Sequence, residues 1–130
     1  MNQKWKWIAI MFTLVVLLAS CSNAAQPQSA AVDPVKITLK SNPPALAVGK
    51  AELILEIKDL KDQPLTGAKV DVSADHIDMS GMTMGGAATE QADGKYAIKT
   101  DFSMSGNWKI TVFVRKEGLD FKKEIEVKIP

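Results

Sequence analysis

The chain has 130 residues, 46% of them hydrophobic, with 16 basic and 15 acidic side chains, one cysteine and one histidine. That length holds one domain at most once a leader is set aside. The near-balanced charge offers no basic patch suited to nucleic acid, and a single cysteine rules out an internal disulfide.

Residues 1–20 read as a lipoprotein signal peptide. Lys4 and Lys6 form a basic opening, and Ile8 to Leu18 is an apolar run of 11 residues interrupted only by Thr13. Small residues follow, as at a secretory cleavage site. The run is too short for a membrane span, which needs about 20 apolar residues. Leu18-Ala19-Ser20-Cys21 resembles the lipobox of bacterial lipoproteins, in which the cysteine becomes the lipidated first residue. Cys21 is therefore the expected lipid attachment point. A diacylglycerol on its sulfur supplies two acyl chains, enough for stable anchoring. The expected location is the extracytoplasmic face of the cell membrane, and the membrane is the first expected partner.

A chain starting at Cys21 has 14 basic and 15 acidic side chains, since Lys4 and Lys6 are gone. With lipid on Cys21, no thiol nucleophile remains. Residues 21–33 continue as SNAAQPQSAAVD after the cysteine, small and polar with one proline. This is the composition of a flexible tether, and about 12 such residues span roughly 20 Å on average.

From residue 34 to residue 130 the hydrophobic period is two. Val35, Ile37 and Leu39 share one face, then Leu53, Leu55 and Ile57, then Val70, Val72 and Ala74. KYAIKTDF follows, and NWKITVFVR places Trp108, Ile110, Val112 and Val114 together. Phe121, Ile125, Val127 and Ile129 alternate with a charged face in the last run. Such alternation predicts half-buried antiparallel strands. Turn signals fall between the runs, at Asn42-Pro43-Pro44, Asp62 to Pro64, Asp93-Gly94, Ser105-Gly106 and Glu117-Gly118. The expected fold is all-β, an immunoglobulin-like antiparallel β-sandwich of six to seven strands, with Trp108 as a core anchor.

The segment HIDMSGMTMGG, His76 to Gly86, holds the single histidine and three methionines. Met79, Met82, Met84 and Met104 are the four methionines beyond Cys21. Gap-filling methionines would be spread among the strands, and these are clustered. Asp93-Gly94 reads as a hairpin tip joining Met82–Gln91 to Lys95–Met104. With the three-residue loop Ala92-Asp93-Gly94, Gln91 pairs with Lys95, Met82 lies opposite Met104, and Met84 lies opposite Phe102. A two-residue turn instead sets Met104 against Thr83, unless a bulge at Gly85-Gly86 restores the register. His76 and Met79 reach the same end through Ser80-Gly81.

Thioethers are soft, uncharged donors suited to Cu(I), and an imidazole can also hold Cu(II). The candidate metal residues are Met82, Met84, Met104, Met79 and His76, with copper as the expected ion. The alternative makes Met82, Met84 and Met104 plain hydrophobes over an open end of the sandwich, with His76 an exposed loop residue. A zinc reading uses Asp75, His76 and Asp78, a poor beginning for a site that wants three or four good ligands.

The stretch MTMGG, followed by DGKYAIKTDFSMSGNWKITVFV, resembles the YtkA-like domains, relatives of the FixH group. The residues that carry the resemblance are Met82 and Met84, then Gly94 and Tyr96, then Phe102, Met104, Gly106 and Trp108. It implies a small extracytoplasmic β-sandwich associated with copper handling and terminal-oxidase assembly, with Met82, Met84 and Met104 matching the methionine motif. Many relatives carry a histidine directly beside the methionine pair, where this chain has Gly86.

Two functions follow as expectations. One is a lipid-anchored Cu(I) chaperone or buffer serving a membrane oxidase subunit or another copper protein. The other is a non-metal immunoglobulin-like module that docks on an envelope protein through an adaptable methionine surface. No enzyme is expected, because no nucleophile, base and acid fall into a recognisable frame.

Overall fold

The structure, a computed structural model, describes residues 32–130. The expected signal peptide, Cys21 and the tether up to residue 31 lie outside the described residues. The alternating runs form eight strands: β1 (Val35–Asn42), β2 (Gly49–Asp59), β3 (Lys69–His76), β4 (Thr83–Ala87), β5 (Thr89–Glu90), β6 (Lys95–Phe102), β7 (Gly106–Lys116) and β8 (Leu119–Ile129). They build two four-stranded antiparallel sheets, β1-β2-β6-β5 and β4-β3-β7-β8. This is the sandwich expected of the pattern, with a strand beyond the six or seven anticipated.

Each inward parity finds the core. Leu53, Leu55 and Ile57 of β2 face Val70, Val72 and Ala74 of β3, all buried. Trp108, Tyr96 and Phe102 are the largest fully buried side chains. Trp108 sets its edge toward Phe102, with ring centroids 5.3 Å apart and planes at 76°, a favoured aromatic geometry.

The expected long hairpin between Met82–Gln91 and Lys95–Met104 is only half formed. Its tip is as read. Gln91 N–H donates to Lys95 O at 2.8 Å, Lys95 N–H donates to Ala92 O at 3.0 Å, and Gly94 takes a φ of 72°. Thr89 and Glu90 then pair with Ala97 and Tyr96. At Ala88 the chain leaves that sheet, with Ala88 N–H donating to Val70 O at 2.8 Å. β4 pairs with β3 in the other sheet, Ala74 opposite Met84 and Asp75 opposite Thr83. Met82 and Met84 therefore do not ladder against Met104 and Phe102. The small residues Gly85 to Ala88 allow the crossing, because a β-carbon at Gly85 would collide with the Val72 carbonyl.

Tyr96 ties the loop at residues 65–68 to the core. Its hydroxyl donates to Leu65 O at 2.8 Å and accepts from Ala68 N–H at 3.1 Å. Burial, first among the causes, raises the phenol pKa above its ordinary value. Tyr96→Phe is expected to lose about 1–3 kcal/mol, because a part-buried N–H and C=O lose their shared partner. Urea denaturation of the variant checks this.

Candidate metal centre

β3 continues its inward parity through Val70, Val72 and Ala74 to His76, which is 8% exposed. The alternative of an exposed loop histidine is thereby excluded by its position. His76 N–H donates to Met82 O at 3.1 Å, which extends the β3–β4 register by one pair. Residues directly opposite in an antiparallel pair share a face. Met82 thus shares the face of His76, and Met84 shares the face of Ala74, which is buried.

Met104 arrives from the other side of the same end, in the turn between β6 and β7. Trp108 Nε1–H donates to Met104 O at 3.2 Å. The next carbonyl, Ser105 O, lies 3.0 Å from His76 Nε2. The rings of His76 and Trp108, opposite each other in the β3–β7 register, meet edge to face with centroids 5.0 Å apart. Two ring N–H groups from neighbouring strands therefore pin the backbone at residues 104 and 105. Met82, Met84, Met104 and His76 all belong to this end of the sandwich. Met79, on the turn between β3 and β4, is 46% exposed, whereas Met82, Met84 and Met104 are half-buried.

Met84 also borders a cleft of about 720 Å³ between the sheets, walled by Ala51, Leu53, Val72, Ala74 and Ile98. Thr100 Oγ1 donates to Met84 Sδ at 2.9 Å. A thioether sulfur is a weak acceptor with two lone pairs, so this bond orients the side chain and leaves one pair free. Both Met84 and Met104 are partly buried against the core.

The acidic neighbours play a different part. Asp75 points outward, accepting from Thr83 Oγ1 at 2.6 Å and from Ser73 Oγ at 3.3 Å. Among the described residues no three His, Cys, Asp or Glu side chains form a metal-holding group. The Asp75–His76–Asp78 zinc trio is not assembled.

One polar atom is left over. His76 Nδ1 is buried and has no hydrogen-bond partner, a state that costs about 1–3 kcal/mol when nothing arrives to fill it. The donor set at this end, thioether sulfur plus an imidazole nitrogen with a free lone pair, fits a soft monovalent ion such as Cu(I). Sequence reasoning missed Ser105, Gly106 and Thr100 as supporting residues. Ser105-Gly106 was visible as a turn, and Gly106 as part of the family motif, but neither as a support for His76.

A family model described as YtkA-like matches residues 29–113. The crystal structure of the PmoD soluble domain from Methylocystis sp. ATCC 49242 (Rockwell) is similar in fold, with a TM-score of 0.51 at 12% identity over 75% of this chain and 92% of that one. No curated protein matches the chain.

Proposed function

The chain belongs to the YtkA-like family, and on that footing we propose that it is a lipid-anchored, extracytoplasmic copper-binding protein that carries or buffers Cu(I) for a membrane oxidase. It acts by binding and release, without catalysis. The observation that carries the reading is the register that sets Met82 beside His76 and Met84 two residues along the same face. Met82, Met84, Met104 and His76 would hold the ion. Met79, exposed on the adjoining turn, is the residue best placed to meet an incoming ion first. Sulfur donors suit transfer, because they can be exchanged one at a time with a receiving site.

The test is a double substitution, Met82→Leu with Met84→Leu. Leucine keeps the volume and apolar character, so stability should fall by less than about 1.5 kcal/mol. It has no lone pair, so one-to-one competition with a colorimetric Cu(I) chelator should be lost. Unchanged competition in a folded double variant would sink the site. A second reading, the non-metal docking module, is favoured by the exposed apolar side chains of Ile77 and Met79 on the turn between β3 and β4. Under it, the same variant binds its envelope partner as well as the parent does, and neither takes copper.

A further inference from the structure

We propose that Ser105 and Gly106 are positioning residues that hold the His76 ring with Nδ1 as the nitrogen donor of the site, an inference that rests on the copper reading above. The argument begins with the hydrogen bond at 3.0 Å between His76 Nε2 and Ser105 O. A carbonyl oxygen only accepts, so the ring nitrogen facing it carries the proton. In the neutral imidazole the other nitrogen, Nδ1, is then a bare lone pair. That atom is closed off from solvent and has no partner. Buried polar atoms are nearly always paired, and one that is not calls for a reason. A metal-binding histidine supplies it, since such a ring characteristically donates its second N–H to a carbonyl or carboxylate that fixes its tautomer.

Gly106 makes the arrangement possible. Its φ is 129°, and a β-carbon there would collide with His76 Nε2. The missing side chain lets the ring and the Ser105 carbonyl close on each other. Trp108 confines the ring from the side at 76° and, through Met104 O, holds the turn that bears the carbonyl. The nitrogen donor is thus oriented before any ion arrives. One imidazole nitrogen among thioethers selects copper over hard cations such as Mg²⁺ or Ca²⁺, which take oxygen ligands.

Because the chain has a single histidine, long-range proton–nitrogen NMR on the ¹⁵N-labelled protein reads this ring without ambiguity. With the ring neutral, the metal-free protein should show Nε2 protonated and Nδ1 bare. Anaerobic addition of one equivalent of Cu(I) should shift Nδ1 and leave Nε2 protonated. Gly106→Ala should mix the tautomers and weaken Cu(I) binding by about 10–100-fold. The metal-free parent alone decides the first point, so a poorly folded variant does not blunt the test. An Nδ1-protonated ring, or a shift at Nε2 on adding Cu(I), overturns the proposal. A ring that ignores Cu(I) also overturns it, and chelator competition in the same sample then separates two cases. Retained competition leaves copper bound by the methionines alone, and lost competition removes the copper reading as well.

Discussion

Trp108→Ala is expected to lower the unfolding free energy by about 3–5 kcal/mol. The indole is 1% exposed and meets the rings of both Phe102 and His76 edge to face. Its loss opens a cavity where the two sheets converge and strands the Met104 carbonyl, which accepts its N–H at 3.2 Å. A domain of this size holds about 5–15 kcal/mol in total, so little margin is left. Each kcal/mol shifts the midpoint of a 60–100-residue domain by about 4–8 °C, which places the expected fall in Tm at roughly 12–40 °C. Thermal unfolding followed by circular dichroism measures it. A loss below about 1 kcal/mol would mean that the indole does not anchor the core. Trp108→Phe, which keeps a ring but not the N–H, should retain more than half of the stability that alanine loses.

Gly94→Ala is expected to be nearly as damaging, for a backbone reason. Gly94 adopts a φ of 72°, a left-handed conformation that costs an ordinary residue about 1–2 kcal/mol. The added carbon would also meet the Ile57 carbonyl at 2.6 Å and the Leu65 nitrogen at 3.0 Å. Those two groups are bonded to each other at 2.9 Å, and Gly94 O accepts from Ile57 N–H at 2.8 Å. Accommodating alanine breaks that junction, with two hydrogen bonds worth about 0.5–1.5 kcal/mol each, for a total of about 2–5 kcal/mol. Gly118 provides the control. Its φ is 73° but nothing lies within 4 Å of an added carbon, so Gly118→Ala should lose only the conformational part. Equal losses in the two variants, measured by urea denaturation, would show that the Gly94 junction gives way freely.

The alternation that defines the core was legible residue by residue, because parity in a strand fixes the face whatever its partner. Trp108 fell on the buried side as its run required. The tip at Ala92-Asp93-Gly94 was legible too, since the left-handed position demands its glycine. Sheet membership was not. The small residues between Met84 and Glu90 carry no period of their own, and nothing in them marks Ala88 as the point where the chain changes sheets. β5, two residues long, is too short to declare itself by period, and it accounts for the additional strand. Counting back from the tip therefore set Met82 against Met104, when its true neighbour is His76. The burial of His76 was available from parity, as the next inward place after Ala74, but a polar residue hid the continuation. The placement of Ser105 O against the ring depends on two strands meeting, and no local pattern encodes it.

β4 is bonded on one flank alone, to β3. β3 keeps its full ladder with β7 whether β4 is present or not, and the core tryptophan sits on that retained side. Detaching β4 is therefore a local event with its own free energy, smaller than that of global unfolding. Met84 rides on this detachable strand and Met82 immediately precedes it, whereas the imidazole ring and its carbonyl latch belong to the permanent framework. The candidate donors are thus divided between a strand held by one ladder and a framework held by several.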